Sequence, residues 1–279
     1  MKDRIVPLLL FLAGVTAASA VHVYSDYTLD DSFITYRYAE NIAAGRGFVY
    51  NPGERELGTT TPLYTLLLAI LARLGAGTGP CGAAIGILSF GGTVVLSRHL
   101  ALKAGATPVL AGLFGLALCV CPPLLRDAIS GMETSLYAFL CLAVVALCLD
   151  GRMAGFCVVG AACFLTRPDG AIVLAACGIH DLLTRRRGFP RWAMYAAVVA
   201  ALSLPWFVFS FAYFGILLPN SGFAKLLQVD DWGHFARLIV REGTWLAHCS
   251  SSPPWAVPGS CGCPGRRSGC SGRCFWGCP

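Results

Sequence analysis

Seven long apolar runs, at residues 5–24, 81–101, 107–125, 133–149, 153–166, 168–184 and 191–214, constrain this chain more than any other feature. Helices that are apolar nearly all round must be buried, either in a large protein core or in lipid. Composition decides between the two. The 279 residues are 56% hydrophobic and only 13% charged, whereas a soluble domain carries about a quarter charged residues. The fold class expected is an all-α polytopic membrane protein, a bundle of about seven transmembrane helices with a structured first extracytoplasmic loop.

The basic residues then have a topological explanation. The net charge of +6 comes from residues in short loops between apolar runs, which points to the positive-inside rule and not to nucleic acid. Lys2 and Arg4 place the N-terminus in the cytoplasm. Residues 1–20, ending Ala18-Ser19-Ala20, have the outline of a signal peptide, but the apolar run continues through Val21 and Val23, so an uncleaved first helix is expected. A further apolar stretch, Pro62 to Leu74, is shorter than the roughly 20 residues a span needs. If it crossed, Arg98, Lys103, Arg152, Arg185, Arg186, Arg187 and Arg191 would all fall outside. If it lies in the interface, all of them fall inside. It is therefore expected to belong to the first external loop, 25–79, with residue 215 onward also outside. Four polar segments then share the external face: Asp30-Asp31, Gly131 to Thr134, Thr166 to Gly170, and Leu218 to Lys225.

Within the first loop, Asp31 or Ser32 can cap a helix running to Ala44, which Gly45 and Gly47 end. Phe33, Tyr36 and Glu40 fall on one side of it; Asp30, Arg37 and Asn41 fall near another. Phe48-Val49-Tyr50 reads as extended, Asn51-Pro52-Gly53 as a turn, and Thr61 as the cap of a helix with Pro62 in first position. Trp206 to Tyr213 reads as span and interfacial belt, with one face able to line a lipid-tail groove. Of the 14 cysteines, eight are scattered singly through apolar runs, where Cys is a small hydrophobe. The other six lie in the tail, 249–279, which is rich in Cys, Gly, Pro, Ser, Arg and Trp and has no helical or strand period. Its composition is what a GC-rich gene gives in a wrong reading frame, and disorder is expected there. Residues 1–248 form the transmembrane domain.

The motifs occur in a specific order: Asp30-Asp31-x-Phe-Ile-x-x-Arg37-Tyr-Ala-x-Asn41, Gly45-x-Gly-Phe-Val-Tyr-Asn-Pro-Gly-Glu54, and Gly58-Thr-Thr-Thr-Pro-Leu-Tyr-Thr-Leu-Leu-Leu68. Gly-Met-Glu-Thr at 131–134, Thr-Arg-Pro-Asp-Gly at 166–170 and Leu-Pro-Asn-Ser at 218–221 follow. Over about residues 1–247 this series resembles the integral-membrane GT-C glycosyltransferases, and among them the bacterial arabinofuranosyltransferase-like and mannosyltransferase-like members. The resemblance implies transfer of a sugar from a polyprenyl-phosphate donor to a glycan, lipid or protein acceptor of the cell envelope, on the outer face of a bacterial-type plasma membrane. Family members are longer, with further helices and often a C-terminal extracytoplasmic domain, so a truncated, inactive product is one alternative expectation. A polytopic transporter is another, but its path would call for ionisable residues within spans, and here they cluster in loops.

The chemistry gives each candidate a role beside a plainer one. An acceptor hydroxyl loses its proton as it attacks the anomeric carbon, so a carboxylate base is needed within hydrogen-bond reach. The resemblance assigns this to Asp30 and Asp31, whose adjacent charges disfavour double ionisation and so suit proton transfer; Asp31 could equally be a helix cap. The leaving group is a lipid phosphate that a cation must stabilise, and Arg37, Arg167 and Lys225 are the candidates. Arg37 could instead pair with Glu40, and Arg167 with Asp169. Glu133 could orient the acceptor or help hold a metal, or simply complement a helix dipole. No cofactor is certain; Mg²⁺ or Mn²⁺ on the acidic residues is the possibility left open.

Overall fold

The structure is a computed structural model describing residues 2–25, 27–184 and 188–216. The chain divides at Asp230/Asp231, and every described residue belongs to the first unit. The tail 249–279, the Leu218–Lys225 segment and Arg185 to Arg187 lie outside the described residues.

Those residues form ten α-helices and no strand: α1 Lys2–Ser25, α2 Ser32–Ala43, α3 Pro62–Arg73, α4 Thr78–Lys103, α5 Pro108–Cys119, α6 Pro122–Ile129, α7 Thr134–Leu149, α8 Met153–Thr166, α9 Gly170–Leu183 and α10 Phe189–Phe214. The all-helical membrane fold read from the apolar runs is the one found. Helices α1, α4 and α10 are each long and apolar enough to cross a membrane alone. The 107–125 run, expected as one span, is broken: α5 and α6 meet at 59°. Pro122 and Pro123 cannot continue the hydrogen-bond ladder of α5 but suit the first turn of α6. Together the bent pair makes a fourth candidate span, while α7, α8 and α9 are apolar helices of only 16, 14 and 14 residues.

Helix α4 is the hub, packed against α1, α3, α5, α6 and α7; α7 then packs on α8 and α9, and α8 on α10. With lipid outside there is no hydrophobic gain in bringing helices together, so close approach of small residues matters most. Gly14 of α1 and Gly91 of α4 meet in this way: a Cβ on Gly14 would lie 3.2 Å from the Gly91 Cα. Gly86 of α4 lies directly on the Ala128 carbonyl of α6.

The bundle has two distinct ends. At one, Lys103 at the end of α4 and His99 pair with Asp150 after α7. At the other, Thr78 at the start of α4 donates to Glu40 Oε1 at 3.0 Å. Helix α3 does not travel between the two ends. Near its start, Tyr64 reaches Gly131, which precedes α7, and at its finish Arg73 donates to the Ala43 carbonyl that closes α2. Length could not have settled this, since α3 has 12 residues and is hardly shorter than α8.

Candidate functional site

Helix α2 brings the acid pair to this second end. The N-cap position falls on Asp31, as expected, but its side chain makes no capping bond. Ser32 makes the local contact instead, its hydroxyl donating to the Leu29 carbonyl at 2.6 Å. The cap reading of Asp31 is thus corrected: its backbone turns the chain, while its carboxylate, like that of Asp30, is exposed. Thr61 likewise sits at the N-cap of α3 without a capping bond, its hydroxyl lying 3.2 Å from that of Thr59. Asn41 is not with Asp30 and Arg37. It is fully buried, donating to the Val49 and Tyr50 carbonyls and accepting from Arg46 Nε. It holds the extended 48–50 segment, whose Phe48 ring packs on Trp206, Phe209 and Phe214 of α10. The α10 aromatic cluster is therefore a dock for the first loop on the face that meets Phe48.

The turn before α7 is tied to both loop helices. Leu29 N–H donates to the Ser130 carbonyl at 3.0 Å. The Gly131 carbonyl accepts from Tyr64 at 2.7 Å and from Tyr36 at 3.2 Å. Gly131 has φ +77°, and a Cβ there would run into the Tyr36 hydroxyl, so both conformation and space demand glycine. Burial and, for Tyr64, the neighbouring Tyr36 and Glu133 push both tyrosine hydroxyls up in pKa, keeping them protonated as donors. No sequence signal pointed to Tyr36 and Tyr64, because each meets a residue more than sixty positions away.

This clamp sets Glu133 at the first turn of α7, only 4% exposed. Burial raises its pKa first of all, and the Asp31 charge adds to that; its own backbone N–H and Arg167 pull the other way. Arg167, in extended backbone at the end of α8, holds Asp169 at 3.1 Å, reaches Glu133 at 3.5 Å and lies 5.5 Å above the Tyr137 ring. The expected Arg167–Asp169 pair is thus present, and Glu133 joins it. The expected Arg37–Glu40 pair is not: among the described residues Arg37 has no ion pair, and Glu40 is taken by Thr78. Asp31, Glu133 and Arg167 are brought together; Arg37 lies further along α2 and lines a cavity with Phe33 and Tyr50.

Among the described residues no group of three or more His, Cys, Asp or Glu could hold a metal ion. Arg167, not a third carboxylate, faces Glu133, so the donor set does not fit Mg²⁺ or Mn²⁺, and no step is derived through one. A second cavity, about 560 Å³ and almost wholly apolar, lies between α8, α9 and α10; Phe164, Leu174, Trp192 and Val199 are in its wall. It extends from Ala171 to Leu182 along α9, roughly 17 Å at 1.5 Å per residue, starting one residue from Gly170 and the Arg167 loop.

The chain is 29% identical to a terminal beta-(1->2)-arabinofuranosyltransferase of Mycobacterium tuberculosis, in a match taking in 73% of this chain and 35% of the relative. It is 27% identical to a protein of the same name from Corynebacterium glutamicum, over 73% and 34%. The chain is arabinofuranosyltransferase-like over this stretch, which spans about a third of the length of the curated relatives it matches. No protein-family model matches it, and no solved structure matches it significantly.

Proposed function

We propose that this chain carries the reacting end of a GT-C membrane glycosyltransferase, which moves an arabinofuranosyl group from a polyprenyl-phosphate donor to a cell-envelope acceptor on the extracytoplasmic face. One observation supports the proposal: the buried Glu133 carboxyl, raised in pKa first by its burial, also feels the charge of the exposed Asp31, which makes no capping bond. One buried and one exposed carboxyl at the same end of the bundle give two different environments, which acid–base work requires.

In the proposed step the acceptor oxygen forms its bond to the anomeric carbon and gives its proton to Asp31, with Asp30 beside it. The bond from that carbon to the donor's phosphate oxygen breaks, and the lipid phosphate leaves with the electron pair. Glu133, buried at the same end, hydrogen-bonds a sugar hydroxyl and orients the acceptor. Arg37, which pairs with no carboxylate among the described residues, is the best placed of the described cations to take the phosphate. Arg167 can do so by loosening from Asp169, and Lys225 completes the assignment from outside the described residues. The apolar cavity along α9 suits a polyprenyl chain by its length and lining.

The test is sugar transfer in membranes bearing the full chain, supplied with labelled polyprenyl-phosphate arabinose and an envelope glycan acceptor. Replacing Asp30→Asn and Asp31→Asn together is expected to lower transfer by about 100-fold or more, at unchanged protein level. Turnover that survives the double substitution removes the base assignment.

A further inference from the structure

Beyond the acid pair, α2 forms one wall of a trough. Two cavities, of about 360 and 570 Å³, share Glu40 and Thr78 in their linings. Each has the volume of a small-molecule site, roughly 300–1,000 Å³. The first begins at Phe33, two residues past Asp31, and includes Arg37 and Tyr50. The second continues to Ala44 and Arg73, and its remaining lining is largely alanine.

The walls offer both signs of hydrogen-bonding group. Glu40 uses one oxygen for Thr78 and keeps the other, since an ionised carboxylate accepts at both. Among the described residues the Arg37 guanidinium has no hydrogen-bond or ion-pair partner, and Arg73 uses one nitrogen for Ala43. Phe33 and Tyr50 are exposed rings, at 57% and 43%. A hydrocarbon occupant would desolvate three charged side chains without return. A phosphate could sit at Arg37, near the Phe33 end, but not along the trough, where Glu40 lines both cavities. A run of neutral rings suits the trough: each hydroxyl both donates and accepts, and ring faces lie flat on aromatic and alanine surfaces.

We infer that this trough is a subsite for a neutral oligosaccharide several rings long, entered from the acid pair at its Phe33 end. It rests on the proposed transferase reading in one respect, that the occupant is the acceptor whose end reaches Asp31.

The test uses the full chain in lipid nanodiscs and arabinofuranosyl oligosaccharides from mono- to hexasaccharide, with binding measured by calorimetry without donor and KM measured with it. Affinity should rise by about tenfold or more from di- to tetrasaccharide, at one or two hydrogen bonds per added ring, and then level off. Ala44→Trp fills the far cavity, and Glu40→Gln keeps its shape without the charge; in both, the affinities for short and long chains should converge. Length-independent binding by the wild type, or an unaltered length dependence in both variants, overturns the subsite. Length-dependent binding without any transfer leaves the subsite standing and removes the reaction. Transfer with no length dependence does the reverse.

Discussion

The two ends of α4 and α7 handle charge in opposite ways. Where these helices finish, Lys103, His99 and Asp150 pair with side chains 37%, 40% and 24% exposed, and such pairs are worth at most about 1 kcal/mol. The buried carboxylate of that end, Asp181, has the Trp192 indole N–H at 2.8 Å, a fixed partner locked in packing. Where the same helices begin, Glu133 is buried against the partly exposed Arg167 guanidinium, and two tyrosines are committed to holding its turn. Burying an ionisable group costs stability, so an end that retains one beside a partly exposed cation is the end where chemistry is to be sought.

The largest test of that contrast is Gly131→Ala. A methyl group against the Tyr36 hydroxyl, at a φ that L-residues rarely adopt, should cost about 2 kcal/mol or more. It should appear as a lower unfolding temperature in detergent together with loss of sugar transfer; wild-type stability would show that the clamp does not organise this end. Glu133→Gln should have a smaller, pH-dependent effect. Because the folded protein raises this carboxyl above its ordinary value near 4.5, its contribution to stability is full below that value and fades as pH rises through the elevated one. The glutamine, fixed in the neutral form, should lack that decline, and parallel stability–pH curves for the two proteins would remove the raised Glu133 from the account. The smallest effect belongs to Asp150→Asn at the opposite end, a stability change within about 1 kcal/mol in chemical denaturation. A larger loss there would erase the distinction between the ends.

The apolar runs made the helical membrane fold legible, but not the packing of α2 and α3 on α4 and α8. Cap positions at Asp31 and Thr61 could also be read, because they depend on local backbone. Their missing capping bonds could not, since residue type gives the cap position but not the side-chain rotamer, and the Thr61 hydroxyl meets that of Thr59 instead. The α5–α6 break did have a signal, Pro122-Pro123, which the surrounding hydrophobicity masked. The site was legible as a set of residue types: Arg167 with Asp169 lies within one loop. Glu133 beside Asp31 required the fold, because it depends on two tyrosine contacts that no periodicity announces.

A carbonyl oxygen has two lone pairs, and at Gly131 each is directed at a hydroxyl from a different helix. That oxygen is fully subscribed, with nothing left to offer an arriving sugar. Recognition of a hydroxyl arriving at this turn therefore falls to the side chains around it, the Glu133 carboxyl and the Arg167 guanidinium among them.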